Sequence, residues 1–394
     1  MDVRSSTRTE SMRPIQWPVV VVGFVLIGVG GVALGVESWR FGVLFVIGAL
    51  LGVSLYHASF GFTAAYRNAI SKGDISGIIA QLLMIGFAML LFAPFLAPGS
   101  TFGQSFGGTV APVSLRVAVG SFLFGLGMQL GGGCGSGTLF TVGGGSTRMV
   151  VTLLAFCTGS FIGSLDIDRW LEGPSLGGIS LVREFGALQA VLIQAGILAL
   201  VWWGFRRWAG DRPQRPIWGD GLTWRQLVRG PWPLLFGGAL LALLNWATLM
   251  IAGHPWSVTS AFALWGAKAW AMTGWDPASS TYWAGAFRQA AIERSVFQHQ
   301  ISIMNIGIIL GALTSAGLAG RYAPMLKIPF RSLAAAVIGG LLMGYGARLA
   351  FGCNIGAFFS GTASFSLHAW LWIVFAFAGT WIGVKLRPWF GFSN

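Results

Sequence analysis

The chain has 394 residues, 55% of them hydrophobic and only 9% charged, against roughly 25% charged in a soluble domain. So little charge over so many long apolar stretches excludes a soluble fold and specifies an all-α, polytopic membrane protein. The net charge of +13 gathers at the ends of the apolar stretches, where orientation signals sit, so it does not point to nucleic acid.

The tail carrying Arg4, Arg8 and Arg13 leads into an apolar stretch at 17–36. That stretch is too long for a signal-peptide core and has no small-x-small cleavage site, so the expectation is a retained helix. Further apolar runs bounded by charge, Gly and Pro follow at 41–56, 75–97, 114–130, 147–165, 185–205, 232–252, 256–273, 301–320, 329–350 and 367–386. Together they predict nine to ten crossings, with 41–56 and 256–273 the two that need not span fully. The strongest polar break is 206–231, with six arginines and three prolines. It divides the chain into a first membrane unit at 1–205, whose last helix is a connector, a basic linker at 206–231, and a second unit at 232–394.

The two units share one short stretch. Residues 125–140 read GLGMQLGGGCGSGTLF and residues 344–359 read GYGARLAFGCNIGAFF. The offset of 219 that carries Gly125 onto Gly344 also carries Gly127, Leu130, Gly133, Cys134, Gly137 and Phe140 onto identical residues. Seven identities in sixteen positions, one of them a cysteine in a chain with three, mark a duplication. Trp17-Pro18 matches Trp232-Pro233, and Ser114-Leu115 matches Ser332-Leu333. After one inserted residue, Gly159, Ile162 and Gly163 match Gly379, Ile382 and Gly383.

Loop charges give the directions. The linker, the loop around Arg321, Lys327 and Arg331, and the tail with Lys385 and Arg387 are basic and are expected in the cytoplasm. The uncharged segment 98–113 and the acidic 166–172 are expected outside. The helix before Cys134 then runs inward and the helix before Cys353 outward, so the halves are inverted, with re-entrant or broken helices and a midplane site, as in transporters built from inverted repeats.

A run such as GGGCGSG makes a poor helix interior, because each Gly costs roughly 1 kcal/mol against Ala. Irregular backbone at membrane depth survives only buried in protein or lining a cavity. Such a turn frees N–H groups, and a short helix restarting at 137–142 or 356–361 aims its positive end at the same place, which suits an anion. A neutral thiol adds a weak donor and a polarizable sulfur that hold an anion lightly. The candidate translocation residues are Cys134, Cys353, Gly133, Gly135, Ser136, Gly137, Gly352, Asn354, Gly356 and Arg348. The blander reading makes the glycines packing residues and the cysteines small core hydrophobes. Two matched turns approaching from opposite faces weigh against it.

The paired Gly-x-Gly-x-x-Leu-x-x-Gly-Cys-x-x-Gly turns resemble the YeeE/YedE sulfur-transport family, and the resemblance covers about 40 to 387. It implies an hourglass of inverted repeats with Cys134 and Cys353 near the narrow centre. It also implies thiosulfate or a similar sulfur oxyanion passing between thiols across the bacterial inner membrane, and a small cytoplasmic sulfur-carrier protein as partner. Family members often carry a further cysteine in a stretch ending Gly-Ala-Phe-Arg. Here that stretch reads Ser59-Phe60-Gly61-Phe62-Thr63-Ala64-Ala65-Tyr66-Arg67, with Gly61 at the thiol position. A selenium species is therefore an alternative passenger.

Arg348, in an apolar helix five residues before Cys353, either attracts the anion or pairs with a carbonyl or an acid. Lys268 is a weaker candidate of the same kind. Arg67 and Lys72 mark a cytoplasmic helix end, and Cys157 reads as core packing. His57, His254, His299 and His368 have no metal-ligand spacing, and no C-x-x-C pair is present, so neither a metal nor a disulfide framework is expected. No nucleotide-binding motif is found, and no cofactor is expected. The 19 tryptophans fit interfacial belts in contact with lipid. The rival from another class is a membrane sulfurtransferase using a cysteine persulfide. It needs a thiolate activated by a nearby base, and no basic residue lies within four positions of Cys134. The reading is therefore a transporter and not an enzyme.

Overall fold

A computed structural model describes residues 13–101, 103–219 and 221–393, so Arg4 and Arg8 of the basic tail lie outside the described residues. The first half contains α1 (Trp17–Glu37), α2 (Trp39–His57), α3 (Phe62–Lys72), α4 (Ser76–Leu96), α5 (Leu115–Gly131), α6 (Gly135–Gly143) and α7 (Thr147–Leu165). Two short helices, α8 (Ile167–Leu171) and α9 (Leu181–Phe185), lead to the connector α10 (Ala187–Ala209). After α11 (Trp224–Arg229) the second half supplies α12 (Leu234–Ala252), α13 (Thr259–Ala271), α14 (Ala286–Glu293), α15 (Gln300–Leu318) and α16 (Phe330–Leu349). A π-helical turn, Asn354–Phe359, then runs into α17 (Ser360–Ala363) and α18 (His368–Leu386). Among the described residues, ten helical segments are long and apolar enough to cross a bilayer, counting as single spans the stretches 39–72, 115–143 and 330–363.

The halves exchange equivalent contacts. Ser160 Oγ on α7 donates to Gly344 O on α16 at 3.2 Å, and its counterpart Thr380 Oγ1 on α18 donates to Gly125 O on α5 at 3.3 Å. Gly344 abuts the carbonyl of Phe156 and Gly125 that of Ala376; Gly159 abuts Leu341 O and Gly379 abuts Phe122 O. A Cβ at any of these four glycines would overlap backbone, so the matched glycines are close-approach sites between helices. Each cysteine helix thus packs on the closing helix of the other half. α5 and α16 also run antiparallel along each other, with Gly120 against Gly346 and Gly127 against Gly339. The inverted duplication predicted from loop charge is present in the packing.

The loops sort onto two faces. Gln16 N donates to Gly317 O at 3.0 Å, Arg215 pairs with Asp74 at 3.0 Å, and Arg148 reaches Ser332 O at 3.3 Å. The start of α1, the linker, the 321–331 loop and the start of α7 therefore share a face. On the other face, strand Pro112–Ser114 pairs antiparallel with Ser175–Gly178, and Leu181 N donates to Phe365 O at 2.8 Å. With α2 a full 19 residues, residue 13 falls on the same face as the linker.

One stretch left open is decided, and two expectations change. The stretch 256–273 does not span: α13 has 13 residues, about 20 Å at 1.5 Å per residue. It re-enters, its start tied down by Asn245 Oδ1 accepting from Trp256 N at 2.8 Å and Asn305 Nδ2 donating to Val258 O at 3.0 Å. Its counterpart in the first half, α3, was not foreseen. Phe62, Ala65, Tyr66 and Ala69 bury one stripe while Arg67, Asn68, Ser71 and Lys72 face away, so its mean apolarity is low although the stripe is complete. Finally, α12 packs against α4 as α2 packs against α15. Trp232-Pro233 therefore heads the counterpart of α2, and the Trp17-Pro18 match falls on a peripheral helix. Much of α1 and α10 faces outward, with Val21, Val25 and Val29 and with Leu188, Leu192 and Leu200 exposed, as lipid-facing helices require.

Candidate functional site

Both cysteine turns are built alike. α5 ends in left-handed Gly132 (φ 91), and after Gly133 the chain straightens so that Cys134 (φ −82, ψ −164) caps the start of α6. Gly137 N donates to Cys134 Sγ at 3.4 Å and the Ser136 hydroxyl lies 3.6 Å from the same sulfur. Cys353 has the same extended backbone (φ −98, ψ −169) at the head of the π-helical turn, although its side chain makes no capping hydrogen bond. Each thiol thus sits where a helix presents its positive end and its free N–H groups. Cys134 and Cys353 are buried to 1% and 0% exposure.

The two turns touch. A Cβ placed on Gly135 would lie 2.9 Å from Cys353 Sγ and 3.4 Å from Thr259 Cγ2, while one on Gly356 would lie 3.3 Å from Ser257 Oγ. Cys134, Cys353 and the start of the re-entrant α13 therefore meet at one point, with helix N-termini converging on it. Gly133 and Gly352 (φ 151) pack against the next helical turn: a Cβ would meet Thr138 N at 3.1 Å and Ala357 N at 2.8 Å. At Gly137 a Cβ would rest in ordinary contact with Cys134 Sγ, at 3.4 Å. Asn354 stands where Gly135 does in the first turn. Its Nδ2 donates to Tyr66 OH at 3.5 Å, and its Oδ1 is buried with no hydrogen-bond partner among the described residues.

Arg348 is not at this point. Its guanidinium lies over the Tyr282 ring, 5.3 Å from the centroid, on the face away from the linker. Its counterpart Gln129 is buried and donates to Thr63 O at 3.0 Å, tying α5 to the re-entrant α3. On the linker face Arg148 binds Leu130 O at 2.7 Å and Gly131 O at 2.9 Å, and Arg387 binds Gln129 O at 2.8 Å, so these arginines cap the end of α5. Lys268 is committed to the carbonyls of Ile292 and Arg294. Cys157 is buried in α7, with Gly266 of α13 closing on its backbone, away from the two turns. His57 lies against Trp232, His254 bonds Gln300, His299 bonds Ser302 and His368 bonds Ser366, each a local contact.

Tyr66, Ser257 and Thr259 reach the two thiol turns, at Asn354, Gly356 and Gly135, and no motif announces them. Tyr66 does stand in the stretch where the family resemblance places an additional thiol, which is the one sequence signal that it lies near the turns.

A family model described as sulphur transport matches residues 57–382. The chain belongs to that family. Its sulphur-transport relatives include a thiosulfate transporter TsuA from Spirochaeta thermophila, 25% identical over 362 residues that make up 85% of this chain and 96% of that one. The thiosulfate transporter TsuA of Escherichia coli is 24% identical over 87% of this chain and 94% of its own. The probable transporter YedE of E. coli is 30% identical over 169 residues, only 42% of this chain and 41% of that protein. The likeness to the two thiosulfate transporters is thus near full length, and that to YedE covers less than half of either chain.

Proposed function

We propose that this membrane protein carries thiosulfate, or a closely related sulfur oxyanion, inward across the bacterial inner membrane. The observation that carries the reading is the meeting of the two thiol turns from opposite directions, with Gly135 against Cys353 Sγ. The anion passes Cys353, then Cys134, held at each by an S–H and by backbone N–H groups at a helix start. These contacts are weak singly, so release is fast, whereas a lysine at the same place would hold a dianion too tightly. The linker face is cytoplasmic. There a cavity of about 310 Å³, lined by Tyr56, Thr141, Ser146, Arg148, Lys327 and Ser332, opens beyond α6, where a small sulfur-carrier protein would collect the product. The two thiosulfate transporters among the relatives support the choice of passenger.

The test is uptake of labelled thiosulfate by a host lacking its own importer. Cys134→Ala and Cys353→Ala should each abolish it, while Cys157→Ala retains most of it. Uptake by the Cys134 and Cys353 variants at the parental rate would refute passage between thiols. Persulfide on either cysteine during turnover, seen by mass spectrometry, would instead favour the sulfurtransferase. The groups at Cys134 Sγ are the Gly137 N–H and the Ser136 hydroxyl, neither of which is the base that route needs.

A further inference from the structure

Two arginines at the end of the bundle away from the linker form no ion pair with a described residue. Arg116, in the first turn of α5, lies with its Cζ 4.2 Å from the centroid of the Phe351 ring. Arg348, in the last turn of α16, lies under Tyr282. Antiparallel packing of α5 on α16, with Gly120 against Gly346 and Leu349, places the two at the same end of the helix pair. Neither makes an ion pair or a side-chain hydrogen bond with a described residue, and Arg348 Nε is buried without a partner. The acid at the end of α7, Asp166, is engaged elsewhere, by Arg169 at 3.0 Å and by the Tyr345 hydroxyl. A guanidinium shielded from water without acceptors is costly, and Arg116 and Arg348 are each half-buried against an aromatic wall, Phe351 for one and Tyr282 for the other.

The backbone is bent to build this wall. Phe351 occupies the left-handed region at φ 60, at the place where the first half has Gly132. A non-glycine residue there is strained, because its Cβ crowds the following carbonyl oxygen. That conformation sets the ring beneath Arg116, two residues before Cys353. The roof over Arg348 is Tyr282, which also carries Arg288, 3.9 Å from the ring centroid and donating to Tyr282 O at 2.7 Å. By contrast, Arg148 and Arg387 on the linker face are occupied by carbonyl oxygens of α5.

We propose that Arg116 and Arg348 form a capture site for a small doubly charged oxyanion at the outer mouth, roofed by Tyr282 and placed just before Cys353. Two guanidinium groups match a dianion in charge, and their planar N–H forks match its oxygens. The site reads charge and oxygen geometry, not sulfur, so sulfate binds it as thiosulfate does. Discrimination for sulfur is left to the thiol turns. The proposal rests on the transport reading above and has its own readout.

The experiment measures labelled thiosulfate uptake against concentration, with sulfate as competitor, for the parent, Arg116→Ala, Arg348→Ala and both lysine variants. Loss of either guanidinium should raise KM at least about tenfold, with Vmax within about twofold. The lysine variants should recover part of the loss, which a merely structural role would not predict. Sulfate should inhibit the parent, and its inhibition constant should rise in parallel in the alanine variants. Higher ionic strength should raise the parental KM more than that of the double alanine variant. In parallel, sulfate and thiosulfate binding to the purified chain in nanodiscs is followed by tryptophan fluorescence. This arm serves should an alanine variant fail to accumulate, because the lysine variants retain the charge. Unchanged KM with intact sulfate inhibition in the arginine variants, while cysteine variants lose uptake, overturns the capture site and leaves the transport reading standing. A parent that binds neither anion overturns the capture site outright.

Discussion

Replacing Gly135 with alanine is the sharpest probe of the meeting between the two turns. The added methyl would stand 2.9 Å from Cys353 Sγ, 3.3 Å from Cys353 Cβ and 3.4 Å from Thr259 Cγ2. Nonbonded carbon is comfortable at about 3.5–4.0 Å, so the sulfur must retreat by well over half an ångström or the turns must part. Gly135 is the first residue of α6 and has no positive φ, so alanine suits its backbone and gains roughly 1 kcal/mol of helix propensity. Overpacking of this kind costs about 1–3 kcal/mol. The net stability change is therefore small, while the thiol is displaced beyond the roughly 0.5 Å tolerance of a working site. The expected result is normal accumulation in the membrane with thiosulfate uptake lowered at least about tenfold, on the arithmetic of 1.4 kcal/mol per decade. Gly196→Ala and Gly204→Ala, where a Cβ meets nothing within 4 Å, serve as controls and should leave uptake unchanged. Parental uptake by Gly135→Ala would refute the idea that the anion passes through the contact between the turns.

Removing the hydroxyl in Tyr66→Phe takes away the Asn354 partner at 3.5 Å; uptake should fall by about three- to tenfold, the weight of one modest hydrogen bond, and no change would place Tyr66 off the path. Arg148→Ala strips the end of α5 of bonds to Leu130 O and Gly131 O. It should cost about 3 kcal/mol, as charged donors to buried carbonyls are worth 1.5–3 each, read as a lowered unfolding temperature in detergent. Outside the spans, His299 caps α15 by accepting from Ser302 N at 3.3 Å. Burial, with His254 and Lys268 adding, pushes its pKa down from 6.5 to about 4. The folded state thus binds fewer protons than the unfolded one. The stability tied to neutral His299 is fully present above pH 6.5 and is lost as pH falls toward 4. Hydrogen exchange at residues 299–303 should accelerate over that window, and His299→Asn, which retains a capping oxygen, should flatten the response.

The sequence alone determined the class, most of the spans, the duplication and the opposed directions of the two cysteine helices. Those properties are written locally: apolar runs of bilayer length, basic residues at their ends, and a sixteen-residue stretch that repeats. The two thiol turns were legible for the same reason, since a glycine run around a cysteine is an anomaly wherever it stands in a membrane helix. The re-entrant helices were harder to read. α3 hides because its polar outer face lowers its average apolarity, and α13 looks like a span because Trp256 and its neighbours are apolar while only Asn245 and Asn305, on other helices, turn the chain. Tertiary structure alone decided who meets whom. Arg348 could be noticed as a costly charge, but its companion Arg116 lies at the far end of an antiparallel helix from the other half. Tyr66 and Asn354 are 288 residues apart, and Gly135 touches Cys353 only because the halves interlock. A sequence records which groups are expensive to bury in a bilayer. Which of them share one point depends on backbone passing within van der Waals reach at matched glycines, and that is fixed only when the two halves pack.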